Sequence, residues 1–144
     1  MLMQEFINEL NVDLALEYAA AVQYYQHAAT LRGAQFFAAI AELETHAGEE
    51  LAHAEKLRSL IVNLGGTPGI EVGPRYTSPD NLAMLQQDLD GEDAAISRYD
   101  DRIAQARGMA DDYNDIESAI FVLRSILTEE LEHRTDLRTL LGRS

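Results

Sequence analysis

The chain has 144 residues, enough for one domain with a sizeable core, and 47% of them are hydrophobic. With 25 acidic residues against 11 Lys and Arg, the formal net charge is -14, which disfavours nucleic acid as a partner. The absence of Cys excludes disulfides and thiolate metal sites, and without a long apolar run or a basic N-terminal signal we expect a cytoplasmic protein with no membrane span.

Two long helices are predicted in the N-terminal half. Apolar residues recur at alternating steps of four and three over about residues 3–31 and again over about residues 34–64. Gly33 separates the two helices, and Gly65 ends the second. The predicted core stripes comprise Leu10, Leu14, Glu17, Ala21, Tyr24, Ala28 and Leu31, then Ile40, Leu43, Ala47, Glu50, Ala54, Leu57, Ile61 and Leu64.

The connection over residues 65–79 holds all three prolines of the chain. Fully extended, it reaches about 50 Å at ~3.3 Å per residue. A helix of about 30 residues is about 45 Å long. The connection can therefore cross the whole bundle, so that the third helix runs parallel to the second.

Two further helices are predicted, over about residues 79–107 and 111–141. Ser78 is the expected N-cap of the third helix with Pro79 as its first residue, and Asp111 or Asp112 caps the fourth. Their stripes comprise Leu85, Leu89, Glu92, Ile96, Tyr99, Ile103 and Ala106, then Ile116, Ile120, Leu123, Leu127, Glu130, Leu137 and Leu141. The short turns within each pair of helices imply two antiparallel hairpins, and hence a single all-α four-helix domain over residues 1–144.

Each predicted stripe contains one Glu near the middle of its helix. A buried carboxylate costs several kcal/mol unless another group pairs with it. One such residue could reflect an error in the helical phase, but four require a common explanation. A bound metal centre is the most economical one.

A twelve-residue phrase occurs twice and carries a Glu-x-x-His each time. Residues 49–60 and 129–140 share seven identical positions, including Glu50 and His53 in the first copy and Glu130 and His133 in the second. Positions i and i+3 lie on one face of a helix. Two such faces, with one Glu from each of two other helices, form the carboxylate-bridged two-metal site of four-helix bundles.

We assign the Glu of each repeat as a bridging ligand and the remaining Glu and His of each hairpin as terminal ligands of one ion. Carboxylate and imidazole ligands suit Fe, or alternatively Mn, and leave open positions for O₂ or H₂O₂. The predicted metal ligands are Glu17, Glu50, His53, Glu92, Glu130 and His133.

Three neighbouring residues have open roles. Asp88 lies one turn before Glu92 and could replace it as a ligand. Tyr24 lies on the inner stripe and is a candidate catalytic residue that hydrogen-bonds a ligand or supplies an electron, or else a plain core residue. His46 lies one turn before Glu50 and is either a relay for iron or a structural residue.

The chain resembles a bacterioferritin-type member of the ferritin-like family. The resemblance lies in residues 17–28, where Glu17 is followed seven positions later by Tyr24, in residues 88–92 and in residues 126–133. It implies a ferritin-like four-helix bundle with two Fe ions per chain. It also implies a ferroxidase activity, the oxidation of Fe(II) by O₂ or H₂O₂, with or without storage of the ferric mineral.

Two departures from that family are visible. Leu51 occupies the position of the haem-ligating Met, so haem is not expected. Only eleven residues follow His133, too few for the fifth helix of shell-forming ferritins. The expected homo-oligomer is therefore a dimer or a smaller shell as readily as a full cage.

Other readings of the same motifs remain open. A rubrerythrin-like peroxidase would need a separate electron donor, since its Cys-rich domain is missing. A manganese catalase or a di-metal oxygenase would need a substrate channel. A DNA-protecting mini-ferritin is disfavoured by the charge of -14, and a metal-free structural bundle is disfavoured by four inward Glu.

Overall fold

The computed structural model describes residues 1–143, and within them all regular secondary structure is helical. A short 3₁₀ turn, Ala34–Phe36, joins the first two helices. The predicted all-α four-helix bundle is confirmed. Its helices are α1 Met3–Thr30, α2 Phe37–Asn63, α3 Asn81–Gly108 and α4 Ile116–Leu140. Among these residues no helix is long and apolar enough to cross a bilayer.

Side-chain pairs between α1 and α3 show that these helices are antiparallel. Asp13 pairs with Arg102, whereas Gln23 near the other end of α1 bonds to Asp88. The pairs between α2 and α4 run in opposite directions in the same way, from His46 with Asp136 to Lys56 with Ser125. With antiparallel neighbours throughout, α2 and α3 run parallel, as the long connection predicted.

The crossover between α2 and α3 lies along α1. Gly69 N donates to Asn11 Oδ1, Gly73 N donates to the carbonyl oxygen of Ala15, and Tyr76 N donates to Gln23 Oε1. At Gly73 an added Cβ would lie 3.0 Å from a methyl carbon of Leu16, so glycine allows this close approach to α1. The crossover therefore follows one helix for most of its length.

Two helix ends differ from the prediction. Helix α3 begins at Asn81 because Asp80 is the N-cap, its side chain accepting from Ala83 N at 2.8 Å. The expectation that Ser78 caps this helix was wrong, since its hydroxyl accepts from Asp80 N instead. The caps predicted at Asp111 or Asp112 were also wrong: successive turns occupy 109–115, and α4 starts only at Ile116.

The apolar core consists of two clusters separated by a polar layer. One cluster includes Leu14, Leu57 and Leu123, and the other includes Leu43 and Leu137 near the opposite end. On each helix the predicted inward Glu lies between residues of the two clusters. The bundle therefore encloses its charged side chains at mid-height, away from both ends.

Candidate metal centre

The six predicted ligands lie together in the polar layer, and every one is at most 2% exposed. They come from all four helices, one Glu each from α1 and α3 and a Glu and His each from α2 and α4. The i, i+3 spacing places each His on the same helix face as its Glu. The residues are Glu17, Glu50, His53, Glu92, Glu130 and His133.

The two imidazoles direct their Nδ1 atoms toward the carboxylates. His53 Nδ1 lies 3.5 Å from Glu17 Oε2, 3.5 Å from Glu50 Oε1 and 3.3 Å from Glu130 Oε1. His133 Nδ1 lies 3.0 Å from the same Glu50 oxygen and 3.3 Å from the same Glu130 oxygen. Both rings therefore share two carboxylates.

These atoms form two overlapping groups, in each of which all ligand atoms lie within 4.8 Å of one another. Glu50 and Glu130 belong to both groups. The first group adds Glu17 and His53 from the α1–α2 hairpin. The second adds Glu92 and His133, one from each helix of the other hairpin.

Most of the converging atoms lack a hydrogen-bond partner, although buried polar atoms are nearly always paired. The unpaired atoms are Glu17 Oε2, Glu50 Oε1, His53 Nδ1, Glu92 Oε2, both carboxylate oxygens of Glu130 and both ring nitrogens of His133. Oxygen and imidazole nitrogen donors suit iron, manganese and zinc. The clusters are therefore compatible with iron binding.

The pKa values of the clustered side chains depend on burial and on the charges of their neighbours. Burial raises the pKa of Glu50 well above its usual range, and the carboxylate of Glu130 adds to the effect. Burial likewise raises the pKa of Glu92, to about 8. Burial opposes the charged form of His133, but the carboxylates of Glu130 and Glu92 outweigh it and raise its pKa to about 11. The metal-free centre therefore retains protons that bound cations would displace.

Two tyrosines donate hydrogen bonds to the carboxylates of Glu92 and Glu17 from the opposite helix. Tyr24 Oη on α1 donates to Glu92 Oε1 at 2.6 Å, and Tyr99 Oη on α3 donates to Glu17 Oε1 at 2.5 Å. Each tyrosine follows the Glu of its own helix by seven positions. Sequence reasoning placed Tyr99 only in the core, although this repeated spacing could have identified it.

Carboxylates on the α2–α4 side contact the outer nitrogens of both imidazoles. Glu129 Oε2 lies 2.7 Å from His53 Nε2, and Glu49 Oε2 lies 3.5 Å from His133 Nε2. A carboxylate at the outer nitrogen of a His fixes the ring orientation and the tautomer. Glu129 thus favours the presentation of His53 Nδ1 to the centre, whereas Glu49 lies near His133 without a hydrogen bond to it.

The other sequence candidates lie next to the centre. Both oxygens of Asp88 lie within 3.0 Å of His27 Nδ1, so Asp88 belongs to neither ligand group. His27 also contacts the carbonyl of Tyr76 and so ties the crossover to α1. His46 stacks on His133 with ring centroids 4.1 Å apart, and burial lowers its pKa to about 4.

A cavity of about 480 Å³ between α1 and α3 reaches the centre. It contacts Glu17, Glu50, Glu92 and Glu130 at its inner end. Small side chains and two crossover residues line much of the rest, namely Ala19, Ala20, Gly91, Ala94, Ala95, Pro74 and Tyr76. The small side chains of the Ala and Gly residues leave room for a small molecule beside the carboxylates.

Comparison with known proteins gives a consistent result. The model of the ferritin-like domain family matches residues 7–144. A bacterial non-heme ferritin of Escherichia coli O6:H1 is 29% identical over 114 residues, which cover 78% of this chain and 69% of that protein. The Shigella flexneri protein of the same name gives the same values.

Solved structures are similar over nearly the whole chain. A ferritin-like di-iron carboxylate protein from Bacillus anthracis is 30% identical with a TM-score of 0.88, covering 96% of both chains. The dodecameric thioferritin of Bacteroides fragilis is 27% identical with a TM-score of 0.85, covering 99% of this chain and 87% of that one. Rhodobacter capsulatus bacterioferritin is 24% identical with a TM-score of 0.86, covering 96% of this chain and 84% of that one. This similarity concerns the fold alone.

Proposed function

Since the chain belongs to the ferritin-like domain family, we propose that it is a ferroxidase that oxidises Fe(II) with O₂ or H₂O₂ at a two-iron site within one chain. One observation carries the proposal: two ligand groups share Glu50 and Glu130 and point unpaired buried atoms at common centres. Glu50 and Glu130 would serve both ions. Glu17 and His53 would complete the ligands of one ion, and Glu92 and His133 those of the other.

Two bound irons would supply the electrons that reduce the oxidant. The protein provides a buried set of oxygen and nitrogen ligands and accepts or releases protons as the ions enter. Tyr24 and Tyr99 keep the terminal carboxylates of Glu92 and Glu17 in position. The cavity between α1 and α3 gives the oxidant a path to the four carboxylates.

The first test is an anaerobic Fe(II) titration of the metal-free protein, followed by exposure to O₂ while the ferric absorbance is recorded. We expect a fast phase that saturates at about two Fe per chain, the occupancy that two overlapping ligand groups allow. Further slow uptake would identify a mineral-storing ferroxidase. The absence of any fast phase would contradict the proposal and would favour Mn as the bound metal.

Substitution of a bridging ligand gives a sharper test. We predict that Glu50→Ala or Glu130→Ala slows the fast phase by more than roughly 100-fold, the upper end of the cost of losing an outer-shell partner. Glu44→Ala is the matched control because Glu44 is exposed on the same helix as Glu50. Wild-type rates in both bridging variants would rule out this site.

The cavity favours a second candidate, a di-metal oxygenase acting on a small organic substrate. Its volume of about 480 Å³ exceeds the need of O₂, and it meets the carboxylates directly. Saturation at about two Fe with no later uptake would favour this function, or a peroxidase with a separate donor.

We further propose that the working protein is a homo-oligomer, because the related Bacteroides fragilis protein is described as dodecameric. The mass of the protein in solution, measured by light scattering on a size-exclusion column, decides between a dimer, a smaller shell and a full cage.

A further inference from the structure

A second cluster of potential ligands lies on the α2–α4 side, outside the two-metal groups. His46 Nε2 lies 3.3 Å from Glu42 Oε1 and 3.1 Å from Asp136 Oδ2. One ligand atom from each of the three residues lies within 4.8 Å of the other two. Helix geometry explains the arrangement, since Glu42 and His46 are one turn apart on α2 and Asp136 faces them from α4.

The two carboxylates of this cluster converge without a Lys or Arg paired to either of them in the described residues. Contact with Asp136 raises the pKa of Glu42, with partial burial adding to the effect. Two carboxylates that approach each other in this way are a favourable place for a cation, which would remove their repulsion.

The third member of the cluster is buried and points outward. The side chain of His46 is 1% exposed, whereas those of Glu42 and Asp136 are 42% and 44% exposed. The Nδ1 atom of His46 has no hydrogen-bond partner, so its ring is held by packing rather than by a polar contact at that edge. Its Nε2 atom is therefore presented to the two carboxylates at the boundary between solvent and core.

The cluster adjoins the two-metal centre through stacked imidazoles. The ring centroids of His46 and His133 are 4.1 Å apart, and Tyr24 lies edge-on to His46 at 5.2 Å. One end of the cluster thus meets solvent, and the other meets a residue of the centre. This placement differs from that of the cavity, which reaches the centre between α1 and α3.

We propose that Glu42, His46 and Asp136 bind one divalent transition-metal cation, at a station between solvent and the two-metal centre. One imidazole nitrogen and two carboxylates suit Fe(II), Mn(II), Co(II) or Zn(II), and leave positions for water. Mg²⁺ and Ca²⁺ prefer oxygen ligands throughout and gain less from the site. Binding here requires no redox reaction, so the proposal stands apart from the ferroxidase activity.

The test is an anaerobic titration of the metal-free protein with Co(II), followed by calorimetry and by the visible absorption of the bound ion. We expect about three ions in the wild type, one beyond the two of the centre. The double variant Glu42→Gln/Asp136→Asn should bind about one ion fewer. The matched control Glu44→Gln/Glu132→Gln removes one exposed carboxylate from each of the same helices and should bind as the wild type does.

A second, milder variant tests whether the loss of the ion in the double variant is caused by misfolding. Asp136→Asn changes only one half-exposed side chain and should weaken the third ion about tenfold or more, with unchanged circular dichroism. A third ion that persists with wild-type affinity in both variants overturns the proposal, as does a wild type that binds only two.

Failure of the two-metal centre and failure of the third site would give different results in this titration. If the centre takes no metal, the wild type binds one Co(II), and Glu42→Gln/Asp136→Asn abolishes it. Conversely, Glu50→Ala/Glu130→Ala should lose the central ions and keep the ion at Glu42, His46 and Asp136.

Discussion

Tyr24 and Tyr99 perform the same structural task from opposite helices, which makes them a matched pair for mutation. Tyr24 donates to Glu92 at 2.6 Å, and Tyr99 donates to Glu17 at 2.5 Å. Removal of either hydroxyl leaves a buried carboxylate oxygen without a donor, at a cost of about 1–3 kcal/mol. We predict that Tyr24→Phe and Tyr99→Phe both slow Fe(II) oxidation by roughly 10-fold.

The pair also tests whether Tyr24 acts as an electron donor. If its role is only to position Glu92, the two variants have equal rates, and the ratio of Fe(II) oxidised to O₂ consumed is unchanged in both. Stopped-flow absorbance measures the rates, and freeze-quenched electron paramagnetic resonance detects a tyrosyl radical. A radical signal lost in Tyr24→Phe but kept in Tyr99→Phe would instead assign electron transfer to Tyr24.

The six predicted ligands, which the structure brings together, could be singled out from the sequence because their signal is local. A Glu-x-x-His places two ligands on one helix face whatever surrounds the helix, and a Glu in an apolar stripe is visible in one segment. The repeated spacing of seven could have singled out Tyr99 itself, but its pairing with Glu17 and the pairing of His27 with Asp88 depend on the register between α1 and α3. Register is fixed by tertiary packing, which one helix does not encode.

At the level of helices, the buried pair of Asp13 with Arg102 joins α1 to α3. Asp13 is fully buried, and Arg102 Nε donates to its Oδ2 at 2.8 Å. Burial raises the pKa of Asp13 to about 6, and the two arginines nearby, Arg102 and Arg98, limit that rise. Above about pH 6 the ionised carboxylate therefore depends on its arginine partners.

We predict that Arg102→Met destabilises the protein by about 2–4 kcal/mol near pH 7.5, because it leaves a buried carboxylate largely unpaired. Since the raised pKa favours protonated Asp13 in the folded state, the loss should shrink as the pH falls below about 6. Arg98→Met is the control, since Arg98 is 23% exposed and 3.3 Å from Asp13, and should cost less than about 1 kcal/mol. Chemical denaturation at both pH values measures the difference. A loss independent of pH would show that packing, not charge, is responsible.

The helices were predicted well in their interiors and at the start of α1, but poorly at the starts of α3 and α4. The stripes of α1 and α3 are buried throughout, because helical periodicity is averaged over many turns. The start of α3 shifted from Pro79 to Asn81, and that of α4 from 111 to Ile116. Ser78, Asp80 and the acidic residues of 109–115 all suit a cap, so the choice depends on how each turn packs.

Part of the molecule's acidity lies where cations could bind. Four carboxylates of the six predicted ligands are buried at mid-height in a chain of net charge -14, and further carboxylates line the α2–α4 side. Buried like charges destabilise the metal-free fold. A cation that binds only the folded state stabilises it by about 2.7 kcal/mol at a free concentration of roughly 100 times its Kd. Stability and metal loading are therefore linked.

This linkage predicts opposite pH trends with and without metal. The folded-state pKa values of Glu92, about 8, and His133, about 11, exceed their ordinary values. Their stabilising contributions are complete below the unfolded pKa values and are lost as the pH rises through the folded ones. Between about pH 6.5 and 8.5 the metal-free protein should lose roughly 2 kcal/mol from each group, or roughly 10 °C in Tm for the two together.

Metal loading should reverse that trend, because the ions displace the same protons and bind more tightly as the pH rises. Anaerobic thermal unfolding with and without Mn(II), at several pH values in this range, measures both effects. Glu92→Gln removes one titrating group, so its metal-free Tm should fall less steeply with pH and its shift on adding Mn(II) should be smaller. A metal-free Tm that is constant over the range, or a Mn(II)-induced shift that shrinks with pH, would mean that the cluster does not exchange protons for cations.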